Sequence, residues 1–252
     1  MEYSNHVVGG KLYNFLFYAA TERTLTGSMN CPYGKHEVWV KIAKLCMRTL
    51  RGKGYDGETA ADHGNRERMM EPIFMGQLPE LMKNYKDGET EILTGLEEKL
   101  QEVFQKAQQM QNADRKGKIC TMGISCLQSS VLTGCYELRI DLYDKEFYLA
   151  KAECCTYWKP EFITKYLLKD VEYFKNEIRF KVPQIKSYEI QQFIDGYLLN
   201  YMYLLVQFFQ QILPQVLSKA KTLFQEVAEE NMTVIFGEYM GKGIVVVGEK
   251  EE

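Results

Sequence analysis

The 252-residue sequence predicts an α+β protein in which an antiparallel sheet packs against long helices. Three patterns predict this fold class. Apolar residues recur every three or four positions in several long segments, and over 135–143 they alternate with polar residues. Near the end of the chain, a turn with two glycines at 240–243 separates the apolar segments 233–239 and 244–247. The sheet would therefore combine a central meander with a C-terminal hairpin, behind a helical N-terminal third.

The first 112 residues are predicted to be mainly helical. Residues 12–21 and 35–50 show helical spacing, and 89–111 is the clearest helix because its apolar residues form one stripe opposite Glu and Lys side chains. The members of this stripe are Ile92, Leu96, Leu100, Val103, Ala107 and Met110.

A loop is predicted inside this helical region. Residues 51–68 contain four glycines and almost no apolar side chains, so this segment has little surface to bury. Pro72 and Pro79 are expected to limit regular structure before Tyr85, because proline lacks the N–H that a helix interior requires.

The middle of the chain is predicted to form a three-stranded meander. Residues 135–143 alternate best, Asp144 and Lys145 are a plausible hairpin connection, and 146–156 would return antiparallel. Residues 118–127 would supply the third strand. One face of such a sheet is commonly exposed to water.

Two further helices are predicted after the meander. Pro160 is predicted to begin the first helix. Apolar and polar residues alternate over 177–182, which predicts a short strand there. Ser187 caps the second helix, which is rich in aromatic residues, and Pro214 is expected to kink or end it. Its apolar stripe consists of Ile190, Ile194, Leu198, Tyr201, Leu205, Phe208 and Ile212.

The polar break at 112–117 is the best candidate for a boundary. It separates a mainly helical region, 1–112, from an α+β region, 118–252. A single continuous domain is also compatible with this pattern, because the chain is short enough for either arrangement.

Composition excludes several broad classes of protein. The chain is 46% hydrophobic and 26% charged, which argues against a disordered or collagen-like protein. Its net charge of −3 argues against nucleic-acid binding. Seven cysteines, an odd number spread along the chain, favour free thiols in a reducing cytoplasm. Asp195 and several amides interrupt the most apolar segment, 193–213, so no membrane span is expected.

No motif identifies a reaction. The segment 237–243 is one residue short of a phosphate-binding loop and lies in a predicted hairpin. Cys31, His36, Cys46 and His63 match no established ligand spacing, so no metal site is predicted. The cofactor and the catalytic residues are unknown at this level.

The strand over 135–143 carries the most interesting polar residues. Alternation places Glu137, Arg139, Asp141 and Tyr143 on one face, opposite an apolar face. The favoured interpretation is a solvated sheet surface. If the face is covered instead, its charges must pair or bind a ligand, and it would form the floor of a polar pocket.

Three other residues complete the candidate ligand-binding set. His63 lies with several carboxylates in the glycine-rich loop, a composition typical of a catalytic or closing loop as well as of a plain insertion. Tyr197 and Tyr201 lie on the aromatic helix, which would be a core element, a pocket wall or a homodimer surface. A basic stripe is interpreted as a solvated helix face, with phosphate binding as the weaker alternative: Lys41, Lys44, Arg48 and Arg51.

These patterns favour a cytoplasmic small-molecule-binding or protein-interaction module, with self-association as a homodimer among the options. The main alternative is a small-molecule enzyme that uses acid–base residues of the polar strand face, with His63 on a closing loop. A phosphate or nucleic-acid binder is the weakest of the three hypotheses.

Overall fold

The computed structural model describes residues 60–181, 184–219, 221–241 and 243–248, with side chains from residue 72 onward except at 181, 221 and 222. These residues form two compact units. The first unit comprises 60–82 and Lys169–Leu204, and the second comprises Lys83–Leu168 and 205–248. Each unit is described by itself below.

Several predictions fall outside the described residues. They concern the helices at 12–21 and 35–50, the basic stripe on the second of these, and the glycine-rich loop up to residue 59. The proposed division into regions 1–112 and 118–252 stays a prediction, because half of the first region is not described.

The first described helix, α1, spans Ala60–Asp87 and corrects two predictions. Residues 60–68 are helical rather than part of a loop, and both Pro72 and Pro79 lie inside the helix. The two prolines are exposed, so water can hydrogen-bond the carbonyls that lose their partners. The helix also buries an apolar stripe at helical spacing: Phe74, Leu78, Leu81, Met82 and Tyr85.

The other helices are α2 (Glu89–Asn112), the short α3 (Gln128–Thr133), α4 (Glu161–Lys181), α5 (Ser187–Lys219) and α6 (Lys221–Val227). Helix α2 confirms the clearest prediction from the sequence, since five of the six predicted stripe residues are buried. Among the described residues, none of these helices is both long enough and apolar enough to cross a lipid bilayer.

Five strands form one mixed sheet in the order β3-β2-β1-β4-β5. They are β1 (Ile119–Cys126), β2 (Leu138–Tyr143), β3 (Cys155–Trp158), β4 (Ala228–Glu238) and β5 (Gly243–Val247). The α+β class, the central meander and the C-terminal hairpin are confirmed, because β1–β2, β2–β3 and β4–β5 are antiparallel. The strands β1 and β4 are parallel, and their pairing joins the hairpin to the meander. Parallel neighbours need a long connection, which here consists mainly of helices.

Three local predictions differ from the structure. Residues 177–181 continue helix α4, because Ile178 extends the buried stripe that includes Phe174. Pro214 does not end α5, which continues to Lys219. Between β2 and β3, only Cys155–Trp158 forms a strand, and the segment before it contains a single 3-10 turn, Phe147–Leu149.

The apolar face of the sheet packs on helices of its own unit. Helix α2 packs against β2, β3 and α6. Trp158 of β3 stacks on Phe208 with ring centroids 5.9 Å apart, and Phe209 contacts Phe236 of β4. These rings pack directly on one another where the sheet meets the aromatic helix α5.

Candidate ligand-binding site on the polar face of the sheet

The polar face of the sheet brings charged residues and glycines into adjacent rows. In one row, Ser125 of β1 lies between Arg139 of β2 and Gly237 of β4, and Gly237 in turn pairs with Gly243 of β5. The two glycines have no side chains, so Arg139 projects from one end of this row while the backbone is uncovered at the other end.

The next row repeats the pattern with one glycine. Gly123 of β1 lies between Asp141 and Ile235. A methyl group at Gly123 would be 2.9 Å from a ring carbon of Tyr143, so this aromatic ring depends on a glycine beneath it. The sheet surface is thus shaped to let aromatic rings approach the backbone closely.

Arg139 and Asp141 form a buried ion pair at the centre of this face. The Arg139 Nε lies 2.8 and 3.0 Å from the two Asp141 oxygens, and Nη2 lies 2.8 Å from Oδ1. Only 9% of Arg139 and 2% of Asp141 is exposed, so the interpretation of this face as a solvated surface is wrong. Its charges are paired because an unpaired buried charge is costly.

Burial and hydrogen bonding act in opposite directions on the ionisation of this pair. Hydrogen bonds with Asp141 raise the pKa of Arg139, and its guanidinium also lies over the Tyr239 ring, 4.5 Å from the centroid. Burial raises the pKa of Asp141, and its hydrogen bonds with Arg139 oppose that rise. Glu153 accepts a further hydrogen bond of 3.1 Å from Arg139 Nη2.

The connection between β2 and β3 covers the polar face. Its turn is fixed by the Asp144 carboxylate, which accepts hydrogen bonds from the backbone N–H groups of Gly117 and Glu146 at 2.9 and 3.1 Å. The turn places the Phe147 and Tyr148 rings beside Tyr143, with centroids 4.7 and 5.1 Å away. Aromatic residues of this loop therefore pack against Tyr143 on the polar face, and Tyr239 of the turn between β4 and β5 lies over Arg139.

A pocket of about 110 Å³ opens between this cover and the sheet. We call it the polar-face pocket. Its floor is bare sheet backbone, and its walls are aromatic and hydroxyl side chains together with one acidic residue, Glu238. It is lined by Thr121, Gly123, Ser125, Tyr143, Phe147, Tyr148, Ile235, Gly237, Glu238, Gly241 and Gly243.

Two hydroxyl groups lie in the lining of the pocket, those of Ser125 and Tyr143. The buried Tyr143 hydroxyl makes no hydrogen bond of standard geometry, but it lies close enough to the Asp141 carboxylate to oppose the rise in the pKa of that group. Burial raises the pKa of Tyr143 above its ordinary value, so its phenol is neutral at physiological pH.

The predicted site residues do not form a single cluster. Arg139, Asp141 and Tyr143 lie together, while Glu137 precedes β2, is half-buried and lies outside the pocket lining. His63 lies within helix α1, where only the backbone is described. The predicted closing loop is therefore helical at this residue.

Tyr197 and Tyr201 belong to the first unit, whereas the polar face belongs to the second. Both hydroxyls donate to Asp170 Oδ2, at 2.5 and 2.6 Å, and Gln77 donates to Oδ1 at 3.2 Å. Phe74 packs edge-on against both tyrosine rings. The two tyrosine hydroxyls thus supply the hydrogen bonds that the buried Asp170 carboxylate requires. Neither tyrosine lines the polar-face pocket.

We expect Tyr197→Phe to lower the free energy of unfolding by about 2 kcal/mol, because it removes a hydrogen bond to a buried carboxylate. Urea unfolding followed by circular dichroism at pH 8 measures this loss. Tyr173→Phe, on the exposed side of α4, is the matched control and should change stability by less than about 0.5 kcal/mol. Equal effects of the two substitutions would contradict the assigned hydrogen bond.

Four residues of the site were not identified from the sequence: Ser125, Tyr148, Glu153 and Tyr239. The signal for Ser125 was present, since residues 118–127 were predicted to pair with the strand of Arg139, but the register was not known. The other three lie in loops and turns outside the strands, where a period-2 pattern gives no position.

Two titratable groups of the site are unavailable for proton transfer at neutral pH, whereas burial raises the pKa of Glu238, the acidic residue of the lining, above its ordinary value. The buried carboxylate is engaged by arginine, and the lining phenol of Tyr143 is neutral. Among the described residues, no group of three or more His, Cys, Asp or Glu side chains is placed to hold a metal ion. Comparisons with protein-family models, with curated proteins and with solved structures found no match to this chain.

Proposed function

We propose that the protein is a binding module for a small organic molecule, which it holds in the polar-face pocket. The observation that carries this proposal is the combination of a bare glycine floor, aromatic walls and the hydroxyl groups of Ser125 and Tyr143 in one lining. Ligand sites typically combine apolar and aromatic walls with a few placed polar groups.

The size of the pocket limits what it holds. A dry cavity of about 150 Å³ accommodates benzene, so the 110 Å³ here fits a five-membered ring or a similarly compact group. Leu149 and Met240 are exposed beside the lining residues Tyr148 and Gly241. A larger ligand would therefore place one compact group in the pocket and rest an apolar remainder near these side chains.

We propose that the protein acts in the cytoplasm, as its cysteine content indicates. Cys120, Cys135, Cys154 and Cys155 are free thiols, which is the usual state of cysteine in a reducing compartment. Burial raises the pKa of the Cys154 thiol to about 11, which makes it a poor nucleophile at neutral pH. Self-association as a homodimer stays a prediction.

A fragment titration followed by ¹⁵N-resolved NMR tests the proposed pocket. Compact five-membered heterocycles should shift the backbone amide signals of Gly123, Ser125 and Gly237, which line the floor. Ser125→Ala should weaken binding of a responding fragment about two- to tenfold, the effect of one hydrogen bond. Ser129→Ala, on an exposed turn of α3, is the matched control and should leave affinity unchanged.

Two results would contradict the proposal. One is a panel of heterocycles that leaves the amide signals of the pocket floor unshifted at millimolar concentration. The other is an equal loss of affinity in Ser125→Ala and Ser129→Ala, which would place binding elsewhere on the protein.

A further inference from the structure

The sheet has two edges, formed by β3 and β5. An edge strand exposes a row of unpaired backbone N–H and C=O groups, and a strand of another chain can pair with them. Natural proteins commonly shield such an edge with a short strand, a lysine side chain or a proline. Of the two edges in this sheet, β3 is shielded and β5 is not.

Strand β3 is short, and its outer edge is covered by a lysine. It has only four residues, Cys155–Trp158. The carbonyl of Cys154 accepts a hydrogen bond from Leu142 of β2, so the next carbonyl along the chain, that of Cys155, points away from β2. Lys106 of α2 donates a hydrogen bond of 3.4 Å to this outward carbonyl. The lysine thus takes an acceptor that a further strand would need.

Strand β5 has none of these features. It spans Gly243–Val247 and carries no charge and no proline, and four of its five residues are isoleucine or valine. Such β-branched residues are enriched in strands. Within the described part of the chain, β5 forms backbone hydrogen bonds with β4 alone. Its outer edge is therefore a pairing surface that the described residues leave unused.

The residues around β5 favour a second copy of the chain as the partner. Antiparallel pairing of two identical strands places the beginning of each strand beside the end of the other. In the sequence, Lys242 precedes β5, and residues 249–252 after it contain three glutamates and one lysine. Two copies therefore bring opposite net charges together at both ends of the pair. Pairing centred on Val245, the middle residue, uses all five residues of each strand.

We propose that two copies of this chain associate by antiparallel pairing of their β5 strands, which joins their two sheets into one continuous sheet. Both copies use the same edge, so the contact is isologous and has a two-fold axis beside Val245. Because Lys106 covers the opposite edge, the assembly closes as a dimer and does not grow into a fibre. This inference goes beyond the proposed function and is independent of the polar-face pocket ligand.

Sedimentation velocity of the full chain over a range of concentrations tests this proposal. The wild-type protein should pass from monomer to dimer as its concentration rises. Val245→Glu and Val245→Lys should each raise the dissociation constant of the dimer at least about tenfold, because like charges then face each other across the two-fold axis. An equimolar mixture of the two variants should restore the dimer, since opposite charges then face each other. A variant that merely failed to fold would not be rescued in this way.

Tyr157→Glu is the matched control. Tyr157 lies on β3 at the opposite edge, is 43% exposed, and pairs with Arg139 on the polar face, the face that also carries Val245. The substitution adds the same charge as Val245→Glu to the same face of the sheet, and it should leave the dissociation constant of the dimer unchanged.

Four results would overturn the proposal. A wild-type protein that stays monomeric up to about 1 mM does not pair with itself, which leaves a different partner for β5. A dimer that persists in both Val245 variants has its interface on another surface. Equal weakening by Tyr157→Glu would attribute the effect to net charge, and a mixture that stays monomeric would show that the two Val245 side chains do not face each other.

Discussion

Asp141→Ala is expected to lower the free energy of unfolding of the second unit by about 3–5 kcal/mol, because it leaves the Arg139 guanidinium buried without its main partner. Urea unfolding can be followed through Trp158, which pairs with Leu138 in the same sheet. The chain has one other tryptophan, Trp39, so a Trp39→Phe background makes the fluorescence specific for this unit.

An exposed ion pair of the same unit is the control. Lys99 and Glu102 lie 2.7 Å apart on α2, with 42% and 55% of their side chains exposed. Lys99→Met should change stability by less than about 1 kcal/mol, since water replaces the lost interaction. A loss of similar size in Asp141→Ala would show that the Arg139–Asp141 pair is solvated.

The double variant Arg139→Met, Asp141→Leu distinguishes pairing from packing. Removing both charges leaves no unpaired ion, so the double variant should be more stable than Asp141→Ala. The double-mutant cycle on these two positions then gives the coupling energy of the pair. A double variant less stable than either single change would indicate that the shape of the two side chains matters more than their charge.

The fold class could be predicted because its main elements have strong periodic patterns. The stripe of α2 and the alternation in β2 each place apolar residues on one face, and burial then makes the periodic structure the stable one. Helix α5 was also predicted, because its apolar residues continue for more than six turns.

The prolines of α1 show that packing can outweigh a local penalty on helix formation. Each proline removes one backbone hydrogen bond, and the burial of the Phe74, Leu78 and Leu81 side chains offsets the free energy that is lost. The same reason applies to 177–181, where a short alternation resembles a strand until Ile178 is seen to continue a helical stripe.

The candidate site was only half visible in the sequence. Alternation placed Arg139, Asp141 and Tyr143 on one face, but it did not show what covers that face. The cover comes from a loop whose path is set by the Asp144 carboxylate and from the turn that carries Tyr239. Such contacts depend on tertiary structure, and a single sequence does not encode them in any period.

Alkaline pH is expected to destabilise the protein steeply, because burial raises the pKa of Tyr85, Tyr143 and Tyr197 above the ordinary value of 10.0. Above pH 10 these three phenols lose their protons in the unfolded chain but keep them in the folded one. The unfolded state then binds fewer protons, so stability falls as the pH rises. Three such groups should cost together about 4 kcal/mol per pH unit.

Tyr197→Phe separates one of these three contributions from the others. At pH 8 both states of the wild-type protein keep the phenol proton, so the penalty of the substitution is the lost hydrogen bond alone. Above pH 10 the unfolded wild-type chain loses the Tyr197 proton while the folded protein keeps it, which lowers the stability of the wild type but not of Tyr197→Phe. The difference in free energy of unfolding between the two proteins should therefore shrink by about 1.4 kcal/mol between pH 8 and pH 11. Urea unfolding at both pH values, with Tyr173→Phe as the control, measures this difference. Burial and the neighbouring Asp170 carboxylate both disfavour the ionised form of Tyr197 in the folded protein. A difference in stability that stays constant with pH would mean that Tyr197 ionises equally in both states, and it would contradict this prediction.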